Sequence, residues 1–113
     1  MANTYKILGQ NRYAAGSSTT YETAYTVPTS TSAVISTIAL CNTTPSAYTV
    51  RLCVVPSGGT PSANNALMYD TSIPANTIVP LTIGITLATG DSIRLASPMS
   101  GWITTHVFGS EIA

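Results

Sequence analysis

The sequence predicts an all-β protein, an antiparallel β-sandwich of seven or eight strands with an Ig-like or a jelly-roll topology. Three observations lead there. Short runs of Val, Ile, Thr and Tyr recur along the chain, divided by clusters of Gly, Pro, Asn and Ser; the first group favours pleated segments and the second favours turns. Apolar residues alternate with period two in the longest runs. No stretch carries the i, i+3, i+4, i+7 pattern of an amphipathic helix. At 113 residues the chain is expected to form one domain, 1–113, with residues 1–20 as an N-terminal arm or an edge strand.

The elements follow in order. Tyr5–Leu8 is a short strand ended by Gly9, and Gly16–Thr20 is a polar loop. Tyr21–Val27 is closed by Pro28. In Ser32–Cys41, Val34, Ile38 and Leu40 share the face assigned to the core, with Ile35 on the other. Asn42–Ser46 is turn chemistry, read as a hairpin into Tyr48–Val55, where Val50, Leu52 and Val54 point inward and Thr49, Arg51 and Cys53 outward. Pro56–Asn65 is the longest loop, followed by the strand Ala66–Asp70. Thr77–Leu87 is interrupted by Pro80 and Gly84 and reads as one bent strand or two shorter ones. Ser92–Ala96 and Trp102–Phe108 complete the set. Leu81, Ile83, Ile93 and Leu95 join the expected core.

Composition excludes several functions. Charged residues make up 7% of the chain against about 25% in an ordinary soluble domain. Four scattered bases cannot neutralise a nucleic-acid backbone, so no nucleic acid is expected as partner. No apolar run approaches the length of a membrane span, so no membrane is expected either. The start of the chain lacks an apolar signal region, which points to synthesis in a cytoplasm. Cys41 and Cys53 are offset in the expected hairpin and should remain thiols.

Catalytic sites are equally hard to assemble. The four acids, Glu22, Asp70, Asp91 and Glu111, are far apart in sequence, and Asp70 and Asp91 lie beside turns, where Asp commonly caps backbone amides. His106 is the single histidine, and neither cysteine sits in a recognisable nucleophile motif. One His and two Cys do not make a zinc site, and no acidic cluster suits calcium. No catalytic residue, metal or cofactor is therefore assigned. The six tyrosines leave a carbohydrate-binding module as an alternative.

The neutral surface suggests instead a subunit buried in a larger assembly. Few charges mean little repulsion between copies, and 19 Thr and 13 Ser can hydrogen-bond across a contact without burying charge. The first 21 residues carry Lys6 and Arg12 and no acid, giving +2, and the remainder carries −2. Asn3–Thr20 is therefore expected to dock on a neighbouring subunit by strand addition, with Tyr5, Lys6, Arg12 and Tyr13 as interface residues.

Several segments together carry a resemblance. They are Tyr5-Lys6-Ile7-Leu8-Gly9-Gln10, Tyr25-Thr26-Val27-Pro28, Ala33-Val34-Ile35-Ser36-Thr37-Ile38, Cys41-Asn42, Ile83-Gly84-Ile85-Thr86-Leu87-Ala88-Thr89-Gly90-Asp91 and Phe108-Gly109-Ser110-Glu111-Ile112. In this order they resemble small virion proteins of tailed bacteriophages, including phages of cyanobacteria. The resemblance implies a structural virion component, foremost a head decoration or cement protein on the capsid surface. It would brace neighbouring major capsid protein subunits as a homo-oligomer, with a trimer favoured. A tail or baseplate subunit is the nearest alternative. The resemblance brings no catalytic residues and no cofactor.

Overall fold

The computed structural model describes residues 3–113. Nine strands are present: β1 (Asn3–Arg12), β2 (Glu22–Thr26), β3 (Ser32–Asn42), β4 (Tyr48–Val55), β5 (Ala66–Ile73), β6 (Ile78–Leu81), β7 (Ile85–Leu87), β8 (Ser92–Ala96) and β9 (Ile103–Ile112). The described helix content is one 3-10 turn, Ala63–Asn65, capped by Ser62. Sheet I has the order β1-β9-β3-β6, with β7 also paired to β3, and sheet II has the order β2-β8-β4-β5.

The pairing is nested. The first strand pairs with the last, β2 with β8, β3 with β6 and β7, and β4 with β5, all antiparallel. The ladders β3–β9 and β4–β8 then join these pairs into two sheets. A long ribbon folded back on itself and wrapped into two sheets is a jelly roll, which settles the topology left open between that and an Ig-like order. The strand that Pro80 and Gly84 interrupt is two strands, β6 and β7, laid end to end along β3.

Three corrections concern the core. Val34 is 41% exposed and Ile35 is 2% exposed, the reverse of their expected faces. The cause is a bulge: Ser36 is an extra residue between Ile35 and Thr37 against β9, and one extra residue inverts the side-chain parity on one side of it. Ala33 and Ile35 therefore share the interior with Ile38 and Leu40. Ile83, also expected inside, is 54% exposed, because it sits in the break between β6 and β7. Val54 and Leu81 are half-buried against the core cluster. Ile38, Leu40, Val50, Leu52, Ile93 and Leu95 are fully buried as expected.

β3 and β4 do not form a hairpin; they lie in different sheets. Buried Asn42 fixes the crossing between them. Its amide donates to the carbonyls of Ser46 at 2.8 Å and Ile73 at 3.2 Å, and its Oδ1 accepts from the Thr44 N–H at 2.9 Å and hydroxyl at 2.8 Å. A fully satisfied buried amide at this corner orients the chain toward sheet II. Cys41 and Cys53 are free thiols, but for a different reason from the expected one: they belong to opposite sheets.

Candidate functional site

The outer faces of the two sheets differ. On sheet II, Cys53 and Val55 are 0% exposed although both point away from the core cluster. Loops reach this face: the Cys53 thiol donates to the Ser62 carbonyl at 3.5 Å, and Arg51 Nη1 donates to the Ser18 carbonyl at 3.2 Å. Burial pushes the Cys53 thiol and the Tyr21 hydroxyl above their ordinary pKa values, so Cys53 is a weak nucleophile. Arg51 also grips Asp70, Nε to Oδ1 at 2.8 Å and Nη2 to Oδ2 at 3.2 Å, and stacks on the Tyr69 ring at 4.1 Å. Asp70 lies within β5 at φ 54°, in a bulge where Tyr69 and Asp70 face Arg51 alone. It holds a guanidinium there, whereas the sequence reading made it a turn cap. Asp91 does cap a turn, accepting from the Ser57 and Ala88 amides at 2.9 Å each.

Sheet I carries no such cover. Tyr5 is 81% exposed, Ile7 55% and Ile78 57%. At one end of this face the register makes a cleft. Ser110 on β9 stands between Tyr5 on β1 and Val34 on β3, and Phe108 and Ile112 are its neighbours two residues away on the same face. A small residue ringed by four larger apolar ones leaves a hollow of about 450 Å³, which Ser36 in the β3 bulge and Lys6 also line. The Ser36 hydroxyl donates to the Phe108 carbonyl at 3.3 Å, while the Ser110 hydroxyl is buried without a hydrogen-bond partner among the described residues. Gly109 permits the close strand approach beneath: a Cβ there would lie 2.1 Å from the Val34 carbonyl oxygen.

Lys6 borders the hollow, but it alternates with Tyr5, so its side chain turns to the other face of the sheet, where it is neutralised. Its ammonium lies 2.9 Å from Glu111 Oε1, and the Tyr25 hydroxyl donates to Glu111 Oε2 at 2.7 Å. These two partners hold the Glu111 carboxyl below its usual range, Lys6 contributing most. Burial and the carboxylate raise Tyr25 well above an ordinary tyrosine.

Of the four residues expected at an interface, the structure places Tyr5 and Lys6 at this cleft. Arg12 lies at the far end of β1 and donates to the Gly101 carbonyl at 2.6 Å. Tyr13 is 0% exposed and belongs to the core of this chain; its hydroxyl lies 2.5 Å and 2.7 Å from the Ser17 and Thr20 carbonyls and accepts from the Ser17 N–H. Val34, Ser36, Phe108, Ser110 and Ile112 also line the cleft, beyond the four expected interface residues. The residues 108 to 112 were visible as a motif, but the Ser36 bulge that turns Val34 outward left no compositional mark. Among the described residues no three His, Cys, Asp or Glu side chains stand close enough to hold a metal ion. The cleft's chemistry is apolar contact with one hydroxyl to satisfy.

No family model matches the chain, and no curated protein matches it. Among solved structures, it is similar to a chain in the structure of infectious bursal disease virus, Gx strain, with a TM-score of 0.50 at 12% identity. The match covers 97% of this chain and 30% of that one, so this chain spans under a third of the length of its neighbour. At this identity the likeness is one of fold.

Proposed function

We propose that the chain is a non-enzymatic structural subunit of a virus particle, and specifically a decoration or cement protein on the capsid surface of a tailed bacteriophage, made in the host cytoplasm. It would work as a homo-oligomer, a trimer by preference, that braces neighbouring major capsid subunits. The observation that carries the reading is the uncovered, apolar outer face of sheet I on a jelly roll whose loops reach over part of its other face. Exposed apolar surface gathered on one side of a small protein marks a contact site. The low charge of the chain and the fold likeness to a chain of a solved virus structure support it. So does the sequence resemblance to small phage virion proteins.

The test is addition of the purified protein to shells, stripped of it, from the virus that encodes it, beside a glycan array. Saturable binding to shells at a fixed stoichiometry, visible as extra density in a particle map, is the expected result. Binding to glycans with none to shells would replace the reading with a carbohydrate-binding one. Density confined to tail or baseplate would move the subunit there.

A further inference from the structure

We propose that the cleft around Ser110 receives the β6–β7 turn of a second copy of this chain, with Ile83 as the inserted side chain. The inference deepens the reading of the chain as an assembly subunit and rests on it. Of the eight exposed large apolar residues described, five belong to sheet I: Tyr5, Ile7, Val34 and Ile78 on its strands and Ile83 in the turn between β6 and β7. Isolated exposed apolar residues are ordinary, but a concentration on one sheet is not.

Ile83 is built as a knob. The turn Thr82–Gly84 breaks the edge of sheet I, Gly84 takes φ 68°, and open space surrounds it. The Thr82 hydroxyl lies 3.3 Å from that of Thr37, which ties the turn to β3. The apolar side chain is thus presented outward on an anchored turn, and little conformational freedom is lost when it docks. The cleft is its counterpart, apolar-walled and spanning β1, β9 and β3, so that it opens on the same sheet as the knob, with Ser36 of β3 next to the Thr37 that ties the turn.

Charge supports a second copy as the occupant. Residues 71–90 contain no Asp, Glu, Lys or Arg. Among the described residues Lys6 is the charged group lining the cleft, and Glu111 already neutralises it. Neither surface would strand an unpaired charge, whereas a charged partner would find nothing in the cleft to pair with. The unpartnered Ser110 hydroxyl could bond a backbone group of the incoming turn. A knob on the β6–β7 edge and a cleft beside it on the same sheet let two copies join reciprocally as a pair, each knob in the other's cleft, or head to tail where the rotation closes a ring.

The experiment is sedimentation velocity of the full chain over a concentration series, with two variants at exposed positions, Ile83→Asp on the knob and Ser36→Lys in the cleft. Circular dichroism and thermal melts check that each stays folded. Wild type should self-associate, and each variant should weaken association roughly tenfold or more. An equimolar mixture of the two variants should recover association, because each supplies the half that the other lacks. A wild type that stays monomeric, or a mixture that recovers nothing, overturns the proposal. So does Leu67→Asp on sheet II weakening association equally. Shell binding is scored separately: an associating protein that ignores shells leaves this contact standing and removes the proposed function. A monomer that decorates shells does the opposite.

Discussion

The outer face of sheet II is buried within the chain along β4, with Leu67 and Tyr69 exposed on the edge strand β5, whereas the outer face of sheet I is exposed on β1, β3 and β6. Val55 and Val34 show it most directly. Both sit on sheet faces pointing away from the core, yet Val55 is 0% exposed and Val34 is 41% exposed. On sheet II the residues 17–21 and 56–65 fold over the strands and Arg51 is clamped by Asp70 and Tyr69. On sheet I the apolar side chains meet solvent. The proposed function assigns the barer of the two faces to contacts outside the chain.

The largest expected effect lies beneath both faces. Leu52→Ala removes a fully buried side chain between the sheets and should cost about 2–5 kcal/mol in denaturant unfolding. A cost below about half a kilocalorie would place Leu52 outside the core. The matched pair tests the comparison itself. Val55→Ala should cost about 1.5–3 kcal/mol, like a core position. Val34→Ala should cost about 0.5 kcal/mol or less in the isolated chain. Equal costs would erase the difference between the faces.

A pH titration of stability tests the ion pairs of the two sheets, Lys6–Glu111 and Arg51–Asp70. Lys6 and Tyr25 hold Glu111 below its ordinary pKa, and Arg51 does the same for Asp70. Both groups therefore bind a proton less readily folded than unfolded. Their stabilisation is complete above the ordinary carboxylate range of about 3.9–4.3 and is lost as pH falls through the lower folded values. The melting temperature should hold on the neutral side and fall below that range, and Glu111→Gln should flatten part of the fall. A melting temperature that rises on acidification would contradict the contacts at Glu111 and Asp70.

The smallest effect is chemical. Denatured without reductant, the protein should titrate as two thiols. In the native state half-buried Cys41 should react before buried Cys53, whose thiol burial holds protonated.

Local chemistry determined the elements. β-branched runs set the strands, and Gly, Pro and Asn set the turns, so β3, β4 and β8 lie within a residue of their expected bounds; the expected interruption falls at Gly84, between β6 and β7, while Pro80 pairs within β6. Period-two alternation also placed Val50, Leu52, Ile93 and Leu95 inside. Three things were left to the tertiary structure. One was the partner of each strand: nested pairing sets Asn3 opposite Ile112, and no local signal records a contact between chain ends. Another was parity around Ser36, since one residue absorbed as a bulge exchanges the faces of Val34 and Ile35 and depends on how β3 meets β9. The last was which sheet face the loops would cover. That depends on where residues 17–21 and 56–65 come to rest, and it left Cys53 and Val55 buried on the outer face of sheet II while Val34 is exposed on that of sheet I.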